Sequence, residues 1–430
     1  MQMIVIIICI IQLREITFRR ELMNKVLLNG LLLSTIAVLA ACQNDSEDLN
    51  TVTHIVDNHA DIAYAAYSDS KTAALILQET VNSFIAEPTE DNLLAAKSAY
   101  KAIRAPYQQS EIMRFDSIIT VGANLDADGG PASVDEWEGQ VNAWPLDENH
   151  IITIIAGSEE INVELLLNQN GADDNDANVT TGIHAVEFML WGSDLNGTEA
   201  GSGERPATDF AIDGTCVDSE CERRGQYLKA ATDLLVDDLT IMADEWSPAA
   251  KTTSGTLAHN FVNSEFAIDY MVGSMITMAT DELASARMGS GLSLGDPEEE
   301  HDCFSDLSHL AIYHNFQGVK NAFYGTYGSA TYSISGASLA VLVNSKNVAT
   351  YEAVDTALIS IEGKMAQILA AGERTENPIK FDQIIGQSSN GVERLIAENA
   401  VTELVALDTE LELMAEVLAL KNIDTEFDGD

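Results

Sequence analysis

The sequence predicts an all-α protein made of two helical-bundle domains. Hydrophobic residues recur at helical spacing over long segments, and prolines are rare, with 8 in 430 residues. No run of alternating β-branched residues indicates a sheet. A chain of this length is sufficient for two ordinary domains, which we expect at residues 54–245 and 246–430.

The helical segments can be followed in chain order, with breaks expected at Pro88 and Pro378 and a kink at Pro106. Helical spacing covers residues 62–84, 91–115, 226–242, 261–287, 307–324 and 351–371. Near the C-terminus, a stripe at steps of three and four predicts a packing face: Leu404, Leu407, Leu411, Met414 and Leu418. Long irregular stretches at 120–145 and 168–181 interrupt the first half, and the second leads into a short helix at 181–191.

The first 41 residues have the features of a secretory signal, with Lys25, an apolar run and small residues before Cys42. Met23 is the expected start, so residues 1–22 are interpreted as a start assigned too early. Their apolar run is too short to span a bilayer. The cysteine after Leu-Ala-Ala resembles a bacterial lipobox, which predicts a lipidated Cys42 and a tether at 42–53. Gln43 in place of aspartate favours the outer membrane, facing the periplasm.

The chain is strongly acidic, with 22 basic and 68 acidic side chains and a formal net charge of −46. Electrostatic repulsion excludes nucleic acid as a partner. One explanation is an acidic surface that keeps the protein hydrated in a saline habitat, and another is a surface that concentrates metal ions. Cys216 and Cys221 lie close together in a polar loop, where an oxidising compartment favours a local disulfide. Cys303 is then left single.

The most informative stretch is Gly182-Ile-His184-Ala-Val-Glu187. His184 and Glu187 are three residues apart in a predicted helix, so both side chains face one side. An imidazole and a carboxylate together suit iron, zinc or copper. By spacing alone, a hydrogen bond or ion pair on a helix face is the simpler explanation.

A second candidate group surrounds the start of the predicted helix at 307–324. Asp306 and His309 are again three apart, and Ser305 is expected to cap that helix. His301, Cys303 and His309 are residue types that ligate metals, although a core position for the cysteine is more common. Arg287 could pair with a carboxylate, bind an anionic substrate or face solvent.

These residues together resemble the imelysin family of envelope lipoproteins, the family of insulin-cleaving membrane protease and iron-regulated protein A. Its motif GxHxxE is present as Gly182, His184 and Glu187. Other family-like pieces follow in the expected order: residues 142–146, 188–192, 205–210, 287–288, 304–306 with His309, and 381–383. The resemblance covers residues 54–420. The chain departs from the family pattern at Asp302, where a serine is expected, and at Leu307-Ser308, where Asn-Thr is usual.

The resemblance implies two helical bundles with a site at or near their interface, and metal binding by His184 and Glu187. Asp306 and His309 are weaker candidates as ligands. The first function it implies is iron acquisition with envelope uptake components as partners, iron being preferred over zinc or copper. The second is a metallopeptidase, with Glu187, Ser305 or Arg287 as candidate catalytic residues. A non-catalytic envelope interaction protein is the third.

Overall fold

The computed structural model describes residues 52–114, 139–216, 218–421 and 423. The predicted signal, the lipidation site at Cys42 and most of the first predicted loop lie outside the described residues. Val52–Asp430 forms one compact unit. The boundary expected between residues 245 and 246 stays a prediction.

The first half of the chain supplies a group of helices around two long antiparallel neighbours. Its helices are α1 (Val52–Ala86), α2 (Glu90–Ser110), α3 (Glu148–Ala156), α4 (Val163–Gln169), α5 (Gly182–Trp191) and α6 (Cys221–Glu245). Thr89 caps α2 by accepting a hydrogen bond from the Asn92 N–H, and Pro106 is accommodated inside that helix. Helix α1 packs against both α2 and α6, and α5 packs against α6.

The second half adds more helices and a small hairpin. In chain order these are α7 (Leu257–Asn263), α8 (Ala267–Thr277), a π-helix (Met278–Ala286), α9 (Gly289–Leu294), α10 (Ser308–Tyr324), β1 (Thr326–Gly328), β2 (Ser333–Ser335), α11 (Leu339–Lys346), α12 (Val348–Gly372), α13 (Phe381–Gly386) and α14 (Val392–Leu418). The strands are antiparallel, with Tyr327 opposite Ile334. Helices α12 and α14 pack together, and α10 contacts both α12 and α2.

The predicted fold class is confirmed, because the described residues are mainly helical and their core is formed by helix faces. In the C-terminal stripe, Leu404, Leu407, Leu411 and Met414 are all buried, as the spacing predicted. Helix α10 joins the two groups of helices by packing on α2. Within the described part of the chain, none of the helices combines the length and apolar composition that a membrane span requires.

Three local predictions were wrong. Residues 261–287 do not form one helix, because the Ser264 side chain accepts a hydrogen bond from the Phe266 N–H and turns the chain. Ser305 does not cap α10, which begins at Ser308, because its hydroxyl is bonded elsewhere. The short hairpin was not expected from a sequence without alternating β-branched runs.

Candidate functional site

Helix α5 positions the two motif side chains, and a glycine fixes where it begins. Gly182 has φ +77°, a region that side-chain-bearing residues rarely adopt. A Cβ built there would lie 2.3 Å from the carbonyl oxygen of Val141. The glycine therefore allows α5 to start against this neighbouring backbone. Every residue of α5 is buried, so His184 and Glu187 face the interior.

His184 has the properties of a metal ligand. Its Nδ1 lies 2.9 Å from the Oε2 of Glu187, while its buried Nε2 accepts or donates no hydrogen bond among the described residues. When Glu187 is ionised, Nδ1–H donates to its carboxylate and Nε2 carries the lone pair. Burial lowers the pKa of His184 to about 3, so the ring is neutral at neutral pH. The ring of His301 crosses it at 85°, with ring centroids 4.6 Å apart.

Glu187 is held from its other side by the segment before α10. The backbone N–H of Ser305 donates to Glu187 Oε1 at 2.9 Å, and the Ser305 hydroxyl donates to the same oxygen at 2.6 Å. Burial raises the pKa of Glu187 to about 8, the negative charge of Asp302 adds to this, and the bonds from Ser305 oppose it. Each motif side chain thus has a fixed orientation before any ligand binds.

Asp302 completes a group that we call the motif cluster, consisting of His184, Glu187 and Asp302. Each of the three offers one ligand atom, and these atoms lie within 4.8 Å of one another. Arg104 of α2 pairs with Asp302, with its Nη2 2.7 Å and 2.9 Å from the two carboxylate oxygens. Both side chains have no exposed surface. A fixed positive charge therefore offsets one carboxylate of the cluster.

A buried ion-pair network lies beside the motif cluster and is centred on Arg287. Its guanidinium donates to Glu111 at 2.8 Å and to Glu282 at 2.7 Å. A π-helical bond from the Arg287 N–H to the Glu282 carbonyl places both residues on one face. Burial raises the pKa of Glu111, yet Arg287 holds it far below its ordinary value. Asn142 also donates to Glu111, at 2.6 Å.

A cavity of about 350 Å³ opens next to this network and reaches His301. Its lining includes Asn142, Trp144, Glu282 and Arg287. Burial strongly lowers the pKa of His301, and the positive charge of Arg287 lowers it further, so this imidazole is also neutral. The cavity provides a route from solvent toward the side of the site where His301 lies.

The structure brings together some of the predicted site residues and separates others. Gly182, His184, Glu187 and Ser305 meet in one place, and Arg287 lies in the adjoining ion-pair network. Asp306 groups instead with two other acids, and His309 pairs with Glu373, its Nε2 lying 2.8 Å from the carboxylate. Cys216 and Cys221 are joined by a disulfide, and Cys303 is a free, partly buried thiol.

The sequence-based interpretation missed Asp302 and Arg104. Asp302 was visible only as a departure from the family pattern, in the short acidic stretch that also contains His301. Arg104 gave no local signal, because its partner lies 198 positions away in the chain. Only the fold brings these two residues together.

A comparison with protein families shows to which family the chain belongs. The imelysin family model matches residues 63–411. The chain belongs to the imelysin family. The matched range includes His184, Glu187 and Asp302, the three residues of the motif cluster.

Two solved structures share the fold. One is described as an iron-regulated protein A precursor from Parabacteroides distasonis, with 19% identity and a TM-score of 0.63, covering 85% of this chain and 94% of that one. The other is an imelysin-like protein from Psychrobacter arcticum, with 14% identity and a TM-score of 0.58, covering 88% and 99%. No curated protein matches the sequence significantly. At these identities, the likeness concerns the fold alone.

Proposed function

We propose that this imelysin-family chain is a cell-envelope lipoprotein that binds a transition-metal ion at the motif cluster and serves iron acquisition. The observation that carries the proposal is the buried group of His184, Glu187 and Asp302, whose ligand atoms lie within 4.8 Å of one another, with Nε2 of His184 left without a partner among the described residues. A buried polar atom without a partner is costly, and a ligand would remove that cost. The Parabacteroides protein of similar fold is described as iron-regulated, which supports iron as the metal.

The donor set fits such an ion. A neutral imidazole with two carboxylates is a combination that proteins use for non-haem iron, and zinc or copper are accepted by the same donors. His184, Glu187 and Asp302 would hold the ion, which would take the place of the hydrogen bond between His184 and Glu187, and the ring of His301 packs across that of His184. The imidazole nitrogen of His184 favours a borderline metal over a hard cation, and Arg104 offsets the charge of one carboxylate. When bound, the ion would supply Lewis acidity at the motif cluster.

Export and anchoring belong to the same proposal. The signal at residues 1–41 and the lipidated Cys42 would hold the protein at the outer membrane, facing the periplasm, where iron-uptake components are its expected partners. The strong negative charge of the chain would attract cations to such a protein.

The experiment is a metal titration of residues 43–430, which include the whole compact unit Val52–Asp430. Fe²⁺, Fe³⁺, Zn²⁺ and Cu²⁺ are added separately to the wild type, to His184→Ala and to His54→Ala. His54 is an exposed histidine of α1 and serves as the matched control. We expect one iron ion per chain in the wild type and the control, and none in His184→Ala at equal helicity. Equal iron binding by His184→Ala would contradict the proposal.

The metallopeptidase alternative has less support. It would use Arg287 as an anchor for a substrate carboxylate, but Arg287 is engaged by Glu111 and Glu282 and is buried. The same titrated protein can be incubated with an unfolded peptide chain and zinc or iron. Cleavage lost in His184→Ala would favour the peptidase, whereas metal binding without cleavage supports the uptake function. Neither binding nor cleavage would leave the third alternative, an interaction protein.

A further inference from the structure

A second group of buried carboxylates lies apart from the motif cluster. We call Glu300, Asp306 and Asp382 the acidic cluster. One oxygen of each lies within 4.8 Å of the others, and their exposed fractions are 1%, 3% and 0%. They come from three elements: Glu300 follows the turn Pro297–Glu299, Asp306 precedes α10, and Asp382 lies in the first turn of α13. The fold therefore gathers three acids out of contact with solvent.

The oxygens of the acidic cluster are poorly satisfied. Neither oxygen of Asp382, nor Glu300 Oε2 or Asp306 Oδ1, reaches hydrogen-bond geometry with any described group. Among the described residues no ion pair reaches these three acids. The charge of Lys380 acts on Asp306 and Asp382, but its Nζ lies nearer other partners, 3.5 Å from His309 and 3.8 Å from Glu373. The charge of Asp382 is thus favoured only by backbone N–H groups at the start of its own helix, and Asp306 is a buried carboxyl whose Oδ1 has no partner among the described residues.

Three buried carboxylates without a cation are unfavourable. Burial raises the pKa of Asp306 to about 8, with Asp382 and Asp194 adding to the rise. Burial likewise raises the pKa of Asp382 to about 7. Such groups persist in a folded protein either by holding protons or by coordinating a metal ion.

We propose that the acidic cluster binds one hard divalent cation of the calcium class through Glu300, Asp306 and Asp382. Calcium takes oxygen ligands at roughly 2.3–2.6 Å, so ligands on opposite sides of one ion are about 5 Å apart, which suits the observed spacing. The donors are all carboxylate oxygens, which select calcium, magnesium or manganese over iron and copper. Magnesium usually retains several waters and fits a buried group of acids less well.

The proposed ion would also organise the neighbouring motif cluster. Residues 300–306 carry Asp302, which contacts Arg104, and Ser305, which donates twice to Glu187. A cation joining Glu300 and Asp306 to α13 would hold this segment at both ends. Binding of this cation is nevertheless independent of the proposed iron site, because His184 is not one of its ligands.

The test is calorimetric titration of Ca²⁺ and Mg²⁺ into chelator-treated residues 43–430, together with thermal unfolding. We expect one Ca²⁺ per chain, a higher Tm with Ca²⁺, and weaker binding of Mg²⁺. Asp382→Asn should weaken Ca²⁺ binding by about 100-fold or more, since affinity follows the number of charged ligands. Asp237→Asn, which removes an exposed acid of α6, should bind Ca²⁺ as the wild type does.

The His184→Ala variant separates this proposal from the iron proposal, because it should lose iron and keep Ca²⁺. If Asp382→Asn fails to fold by circular dichroism, Asp306→Asn takes its place with the same expected loss. A wild type whose Tm and titration heat do not respond to Ca²⁺ or Mg²⁺ would overturn the proposal. So would a folded Asp382→Asn or Asp306→Asn that binds Ca²⁺ as tightly as the wild type.

Discussion

Residues 300–306 supply side chains to two buried clusters whose charges are balanced in different ways. In the motif cluster, Asp302 pairs with Arg104, and Glu187 receives two hydrogen bonds from Ser305. The acidic cluster has neither an ion pair nor a full set of donors among the described residues. We therefore expect the motif cluster to be preformed and the acidic cluster to depend on its ligand.

The backbone at Asp306 explains how one segment serves both clusters. Asp306 has φ +54°, a left-handed conformation that costs a side-chain-bearing residue roughly 1–2 kcal/mol and that aspartate tolerates better than most. The turn sends Ser305 toward Glu187 and Asp306 toward Asp382. Neighbouring residues in a sequence can thus belong to different sites when the backbone reverses between them.

The largest effect is expected when the positive charge of Arg104, beside the motif cluster, is removed. Arg104→Met leaves Asp302 buried without its ion pair, and should lower the free energy of unfolding by about 3–5 kcal/mol. The measurement is urea denaturation of residues 43–430. Lys101→Ala is the matched control on the same helix. Lys101 forms an exposed pair with Glu373, worth less than about 1 kcal/mol. Equal losses in the two variants would contradict the difference between buried and exposed pairs.

A smaller loss is expected at the start of α5. Gly182→Ala adds a Cβ against the Val141 carbonyl and strains the backbone, so it should cost about 3 kcal/mol. Gly197→Ala is the control, because Gly197 also has positive φ but has no atom within 4 Å of the added Cβ. It should cost about 1 kcal/mol. Compared with the wild type, the Gly182 variant should lose more of its affinity for iron than of its affinity for Ca²⁺, because the substitution displaces only the motif cluster.

The helices were predictable because each needs only local information. Spacing of three and four residues identified the stripe on α14, and the same rule placed His184 and Glu187 on one face of α5. The π-helix and the turn at Ser264 were not predictable, since apolar residues continue through both. At both places, a few local hydrogen bonds determine the backbone conformation, and hydrophobic periodicity does not reveal them.

The remaining parts of both clusters depend on contacts between distant positions. Ser305 and Glu187 are separated by 118 positions, and no spacing rule connects them. Asp306 looked like a partner of His309 because both lie near the start of α10. The left-handed turn at Asp306 and the pairing of His309 with Glu373 separate them. A sequence pattern can propose ligands, but the fold decides which of them meet.

A moderate effect is expected when Glu187 loses one donor. Ser305→Ala removes the hydroxyl that donates to Glu187 at 2.6 Å and should cost about 2 kcal/mol, because the acceptor is a buried carboxylate. Ser98→Ala is the control, since that exposed hydroxyl bonds within its own helix; a change within about 0.5 kcal/mol is expected. A Ser305→Ala protein as stable as the wild type would show that the backbone N–H alone satisfies Glu187.

The smallest effect has the opposite sign and comes from the acidic cluster without its cation. In the unfolded chain both aspartates titrate near pH 4, whereas the pKa values in the fold are about 8 for Asp306 and about 7 for Asp382. Between these limits the two aspartates bind more protons in the folded state than in the unfolded state. Their contribution to the free energy of unfolding of the chelator-treated protein should therefore fall as pH rises from about 4 to about 8.

Asp382→Asn tests that sign directly, because the amide cannot become negative. At about pH 8 with chelator, the ionised Asp382 destabilises the wild type by about 4 kcal/mol, whereas a buried amide costs about 1–3 kcal/mol, so the variant should be the more stable protein and its stability should change less with pH. Glu412→Gln, which removes an exposed acid of α14, should leave both quantities unchanged. Added Ca²⁺ should reverse the order, because only the wild type keeps three charged ligands. An Asp382→Asn protein that is less stable at pH 8 without Ca²⁺ would mean that the fold itself compensates these acids, and that the two clusters do not differ in how their charge is balanced.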